Sequence, residues 1–224
     1  MAEFRQTWHS KLYRDFHAID GRQWHNIVRF FEQHEEEIKM LEFDEYFEIL
    51  IAYTDALFET GAYEKHLLMV DAVIETAFMN NINYFNGQEI LLHSLFRKAA
   101  SCYHIYQLEK AENILRQLLA IEPHHMHASR FLKKCMRSQA PRVIMNARAV
   151  AILLLFLTAF VICIEWLWVR PLHPTWMQAF VAIRYSLFGA GLLLLFGSYV
   201  WHYLKVEKTV NRLVKQLKMR KGRI

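Results

Sequence analysis

A chain of 224 residues has room for one ordinary domain and a smaller unit beside it, and its 54% apolar and 22% charged content is near the globular average. The average conceals a division: residues 1–124 hold 20 Asp/Glu against 11 Lys/Arg, residues 125–224 hold 2 against 16, and net charges of −9 and +14 make up the overall +5. The three cysteines, Cys102, Cys135 and Cys163, are odd in number and none has C-x-x-C spacing, which excludes a disulfide framework or a zinc ribbon and fits a reducing compartment.

The opening, MAEFRQTWHS, has neither a basic n-region nor an apolar h-region, so no secretory signal is expected. Beyond it the apolar residues recur at helical spacing. Trp24, Ile27, Val28 and Phe31 form one stripe; Tyr63, Leu67, Val70, Ile74 and Ala77 form a second. Leu92, Leu95, Phe96, Ala99 and Tyr103 form a third, and Ala111, Ile114, Leu115, Leu118 and Leu119 a fourth. No run alternates as a strand would. Helices of this kind bury their stripes most simply by packing antiparallel on their sequence neighbours.

Between the helices of each pair stand DGRQW (Asp20–Trp24), TGAYEK (Thr60–Lys65) and YQLEKAE (Tyr106–Glu112). Gly21 and Gly61 are 40 residues apart, and Tyr63 and Leu108 are 45 apart, a period expected of stacked helical repeats. The third unit, with Ala99, Ala111 and Pro123 closing the run EKAENILRQLLAIEP, resembles the tetratricopeptide repeat (TPR). The period exceeds that family's ~34 residues, and the first two units keep only the turn glycine, a polar or aromatic residue two positions on, and the apolar spacing. The resemblance implies a divergent TPR-like array over residues 3–139, with HHMHASRFLKKCMR as its capping helix. It also implies protein binding in a groove, without chemistry of the domain's own.

Residues 32–64 contain 11 acids and one base, Lys39, so a negative face able to steer a basic peptide is expected there. Its candidate partner-binding residues are Glu42, Glu45, Glu48, Asp55 and Glu59. A solvated helix exterior is the plainer reading of the same charges. Glu35, Glu36 and Glu37 are expected at a helix end.

The second half reads differently. Ala149–Ile164 is uncharged, and with Glu165 as the single charge the run reaches Val169, long enough at about 1.5 Å per residue to cross a hydrocarbon core. Tyr185–Leu204 is a second uncharged run. Two transmembrane helices are predicted, about 147–169 and 176–204, joined by the turn RPLHPT with Trp166, Trp168 and Trp176 beside it. Cationic residues stand before the first span and after the second, and the turn carries Arg170 alone. Under the positive-inside rule both termini are cytoplasmic, and the expectation is a two-pass protein of a bacterial cytoplasmic membrane.

Glu165 and Arg184 fall at similar depth in such a hairpin and are expected to pair, because an isolated ion there is costly. Snorkelling to water and an ion path are the alternatives. Ala182, Ser186, Gly189, Ala190 and Gly197 are small residues predicted to pack against the partner span, or between copies of the chain in a homo-oligomer. After the membrane, Val206, Val210, Leu213 and Leu217 mark residues 205–224 as a basic amphipathic tail helix. Lys205, Lys208, Arg212, Lys215 and Lys218 are its candidates for contact with anionic lipid. Continuation of the second span, or docking on the acidic domain, are its other uses. Hydrophobic segments beside the basic cluster favour lipid over nucleic acid.

Catalytic signatures are missing from the sequence. There is no P-loop, Gly-rich dinucleotide loop or G-x-S-x-G elbow. HEEEI at 34–38 has Ile38 where a zincin needs its second histidine. His124, His125 and His127, with Glu122, have the residue types of a metal site but are expected to be surface residues of an inter-helix turn. The sequence therefore predicts an all-α, non-enzymatic protein without cofactor, in which a cytoplasmic helical domain (1–140) recruits or assembles a protein partner beside a membrane hairpin (141–204). An oligomeric membrane effector or channel subunit is the second expectation.

Overall fold

The computed structural model describes residues 10–85, 87–139, 142–169 and 177–221. Among these residues it is all-α apart from one hairpin of two-residue strands, and the chain divides into two compact units, Met1–Ala128 and Ser129–Ile224.

In the first unit, α1 (Lys11–His17) begins at Ser10, whose hydroxyl accepts from the Tyr13 backbone N–H at 3.1 Å. A serine cap of this kind satisfies one of the donors a helix start leaves unpaired. Helix α2 (Trp24–Gln33) buries Ile27 and Phe31, and the Phe31 ring stacks on Tyr53 with centroids 3.9 Å apart. A single turn, α3 (Glu35–Ile38), carries the three glutamates in its first turn, where the helix dipole favours them. Its Ile38 is fully buried.

Helix α4 (Phe43–Glu59) is the centre of the core: Phe47, Ile49, Leu50, Ala56 and Leu57 are all fully buried. Helices α5 (Tyr63–Met79), α6 (Ile90–His104) and α7 (Leu108–Ile121) follow. Packing runs between chain neighbours: α2 on α4, α4 on α5, α5 on α6, and α6 on α7. Each of the three stretches marked in the sequence spans the junction between two helices and runs into the start of the second.

The helix ends share a physical device. At the end of α4, Ala62 N–H bonds back to Leu57 C=O at 2.9 Å around Gly61, whose φ is +79°. At the end of α6, Gln107 N–H bonds to Cys102 C=O at 2.9 Å around Tyr106, whose φ is +62°. At the end of α5, Ile82 bonds to Ala77 at 2.8 Å around Asn81, φ +54°. These are left-handed C-terminal caps, which glycine enters freely and a tyrosine only under strain. Gly21 has no positive φ, so the two glycines that set the 40-residue spacing are not equivalent.

One element departs from expectation. Tyr84–Phe85 (β1) and Gln88–Glu89 (β2) pair antiparallel, with Tyr84 opposite Glu89 and Gly87 at φ +76°. The dipeptide Asn86–Gly87 is the strongest short hairpin signal a sequence carries, and two-residue strands are too short to show alternation.

Helix α8 (Met126–Ser138) crosses the division between units, which falls at Ala128 rather than near residue 140. The reason lies in the second unit. Glu207 accepts from Lys133 and, at 3.0 Å, from Arg137, and the Arg137 guanidinium lies 3.9 Å from the centre of the Tyr203 ring. The last turns of α8 thus belong with the C-terminal helices.

Helix α9 (Arg142–Ile164) continues into a π-helical turn, Glu165–Val169, and α10 runs unbroken from Met177 to Lys221. The expected tail helix is not a separate element. At 45 residues α10 is about 67 Å long, more than twice a hydrocarbon core. Helices α9 and α10 are packed on one another and are antiparallel: Ala151 and Leu155 approach Gly191, and Glu165 meets Arg184 across the π turn that ends α9. Two segments are long and apolar enough to cross a membrane, Ile144–Leu167 and Met177–Lys221. The turn RPLHPT and Trp176 lie outside the described residues.

Candidate functional site

In the first unit, the loop and helices from Phe16 to Ile27 stand opposite α4 and leave a groove of about 480 Å³. Phe16, Ile19, Trp24, Ile51 and Phe85 supply its apolar surface, and Glu48, Asp55 and His17 its polar atoms. The cavity is of the size of ligand sites, about 300–1,000 Å³.

Two of the five predicted acidic residues, Glu48 and Asp55, line this groove, but the carboxylates are not a free negative face. Glu45 is buried and accepts from the Ser10 backbone N–H at 3.0 Å, fixing the start of α1 on α4. Glu48 accepts from the Tyr13 hydroxyl at 2.6 Å and lies 3.6 Å from His17 Nε2. Burial first, and then Glu48, raise the Tyr13 phenol well above its ordinary pKa. Asp55 lies 3.4 Å from both Arg97 Nε and His93 Nε2, and Glu59 lies 3.1 Å from Arg97 Nη2. The Arg97 guanidinium also covers the Phe58 ring at 4.8 Å. Glu42 and Glu59 are exposed at the two ends of α4, Glu59 with Arg97 as its partner.

Arg97 was not legible as the partner of two acids about 40 residues away, because no spacing rule links α6 to α4. The field of this region is therefore weaker than the count of acids suggests, while Glu48 and Asp55 still give the groove acidic walls. On the neighbouring surface Lys65 pairs with Glu32 at 2.8 Å. Burial, helped by Glu32, pushes the Tyr53 phenol up to about 12.

A buried polar pair lies between α5 and α6. His66 is fully buried where the sequence stripe places Leu67, and its Nδ1 lies 2.9 Å from Ser101 Oγ. Burial and the Arg97 cation hold its imidazole down at about 4. A histidine and a serine 35 residues apart carry no joint sequence signal. Sealed from solvent, they tie two helices together.

The histidine turn is built into the start of α8. His125 Nδ1 accepts from the Ala128 N–H at 3.0 Å, and its ring lies 5.7 Å from Phe96 and 6.2 Å from His127. Among the described residues, no three His, Cys, Asp or Glu side chains converge as a metal site.

In the second unit, Arg184 Nη1 donates to Glu165 Oε2 at 3.1 Å, the pairing expected from their depth. Glu165 is 1% exposed and sits at the π turn, where the ladder of backbone bonds is locally rewound. The expectation that the small residues pack on the partner span is not met by most of them. Ala182, Ser186, Ala190 and Gly197 are exposed, and an added Cβ at Gly189 or Gly197 would meet nothing within 4 Å. The close approach is at Gly191, where a Cβ would stand 3.4 Å from Leu155 Cδ2 and 3.5 Å from the Ala151 carbonyl. The inward stripe of α10 is Arg184, Leu187, Gly191, Leu195, Ser198, His202, Val206 and Val210, all buried or half-buried.

The outer faces are apolar: Phe156, Phe160, Leu193 and Phe196 are each more than 60% exposed, and Trp166 and Trp201 stand near the two ends. Lys205, Lys208, Arg212, Lys215 and Lys218 are exposed along one side of α10. Among them the single carboxylate, Glu207, is held below its usual range by the hydrogen bond from Lys133. Comparison with known proteins finds no matching family model, no matching curated protein and no matching solved structure.

Proposed function

We propose that this chain is a membrane-anchored, TPR-like adaptor whose helical domain holds a segment of a protein partner in the groove between α1–α2 and α4. Helices α9 and α10 are its two-pass anchor in a bacterial cytoplasmic membrane, with both termini cytoplasmic. The observation that carries the reading is the outer surface of these helices. A core helix of a soluble protein is covered by its neighbours, whereas here a continuous apolar band of membrane-crossing length is left uncovered, with cations beyond its end on α10. The groove supports the adaptor half of the reading: its apolar floor suits an amphipathic segment, and Glu48, beside the Tyr13 hydroxyl and His17 rather than a Lys or Arg, suits a cationic side chain on that segment. Membrane tethering raises the local concentration of whatever is bound.

The second reading, an oligomeric effector or transport subunit, draws support from the small residues Ala182, Ser186 and Ala190 that face outward on α10. Against a conducting path, Glu165 and Arg184 neutralise each other.

Alkaline carbonate extraction tests the anchor: the chain stays in the vesicle pellet, and its release would end the reading. Photo-crosslinking from position 24 in intact cells tests the groove. A defined adduct that Ile51→Arg abolishes is expected; adducts indifferent to that substitution would refute partner binding there. Replacing α9–α10 by an unrelated anchor separates the two functions, since an adaptor survives the exchange and an effector does not.

A further inference from the structure

A second cavity, of about 380 Å³, opens between α9 and α10, lined by Ile144 and Ala147 on one side and by Leu194, Gly197 and Trp201 on the other. It exists because Ala147 and Gly197 are small; a Cβ at Gly197 would meet no atom within 4 Å. Its polar groups are His202, Lys205 and Ser198, and the Ser198 hydroxyl is already engaged with the Leu195 carbonyl at 3.0 Å. The other two are not. His202 Nε2 is out of contact with solvent and has no hydrogen-bond partner among the described residues. The Lys205 ammonium stands 5.9 Å from the centre of the Trp201 ring, and the nearby carboxylate, Glu207, is held by Lys133 and Arg137.

The position of the cavity along the helices is informative. Arg148 is the last charge before the uncharged run of α9, and Lys205 is the first after the uncharged run of α10. The cavity therefore lies where apolar surface gives way to charge on both helices. If α9 and α10 span a bilayer, as proposed above and as this inference requires, that level is the boundary between acyl chains and headgroups.

We propose that the cavity is a binding site for one anionic phospholipid of the leaflet facing the basic end of α10. An acyl chain occupies the apolar part against Leu194 and Gly197, and the phosphate meets Lys205. An apolar slot with a cation at its charged end matches that ligand in both halves. A purely apolar occupant would leave the ammonium unmet. The other cations of α10 stand on open helix surface, where they attract anionic lipid without selecting a single molecule.

The test is native mass spectrometry of the full chain, purified in detergent and mixed with phosphatidylglycerol or phosphatidylcholine. One retained phosphatidylglycerol per chain is expected, in clear preference to phosphatidylcholine. Lys205→Gln weakens retention about fivefold, the equivalent of one surface cation near an anionic lipid. Gly197→Phe fills the slot and abolishes retention, while Lys215→Gln, on open helix surface, weakens it less than Lys205→Gln does. Equal retention of phosphatidylcholine, a loss with Lys215→Gln matching that with Lys205→Gln, or undiminished binding to Gly197→Phe would each overturn the assignment. Carbonate extraction of the same proteins separates the failures. A chain that stays in the membrane but retains no lipid removes the cavity assignment alone, whereas a chain released from the membrane removes both readings.

Discussion

Lowering the pH from 7.5 to 5 should loosen the helical domain through one residue, His66. The imidazole is fully buried, bonded at Nδ1 to Ser101, and held at about 4 by burial and by Arg97. Its ordinary value in an unfolded chain is 6.5. For a base with a depressed folded pKa, the unfolded chain binds the extra proton, so stability is fully present above pH 6.5 and is lost as pH falls toward 4. The distance from 6.5 down to about 4, at ~1.4 kcal/mol per pH unit, makes full protonation cost about 3–4 kcal/mol, and at pH 5 about 2 kcal/mol, a thirtyfold rise in the opened population.

Cys102, buried on α6 next to Ser101, provides the assay. With Cys135 and Cys163 replaced by serine, the rate at which a pyridyl disulfide labels Cys102 reports opening of the α5–α6 contact, once divided by the rate on the denatured chain at the same pH. The expected increase is about thirtyfold from pH 7.5 to 5, against a much shallower rise in His66→Gln, which cannot titrate. Equal pH dependence in the two proteins would refute the reasoning, because it would place the titration elsewhere.

Tyr106 is 88% exposed and held at φ +62°, so Tyr106→Gly removes left-handed strain and loses little packing. The expected gain is about 0.5–1 kcal/mol, read as a raised midpoint of thermal unfolding, after allowance for the greater freedom of glycine in the unfolded chain. Arg184→Leu leaves Glu165 buried without its partner and should cost about 3–5 kcal/mol, lowering the thermal midpoint in detergent. The double change Glu165→Leu with Arg184→Leu should recover most of that loss, and a double variant as unstable as the single one would show that the pair does more than neutralise itself. Gly191→Leu overpacks the α9–α10 contact by about 1–3 kcal/mol, whereas Gly189→Leu, with open space at its Cβ, should be nearly neutral. Equal costs would mean that the two helices do not approach at Gly191.

Local chemistry was enough to read the helices, because amphipathic periodicity is imposed by each helix on its own sequence. The stripes of α2, α6 and α7, the three inter-helix turns, and the two apolar segments were all legible for that reason. So was the pairing of Glu165 with Arg184, since depth in an antiparallel pair follows from counting residues at a fixed rise. The short strands were not read from the sequence, because two residues each are too few to alternate, although Asn86–Gly87 is a hairpin signal.

What side chains do across helices was decided only by tertiary packing. Arg97 gathers Asp55 and Glu59, and Glu45 fastens the start of α1, so a row of acids that reads as a charged face becomes internal bonding. His66 takes a core position because Ser101 arrives opposite it from a different helix. On α10 the rotation that places Gly191 inward turns Ala182, Ser186 and Ala190 outward, and nothing in a stripe of small residues says which of two adjacent faces will be covered. Periodicity tells how residues are arranged around one helix axis. The rotation of that axis against its neighbour depends on contacts between residues far apart in the chain, and the groove beside α4, the cavity at Gly197 and the Glu207 contacts all come from those contacts.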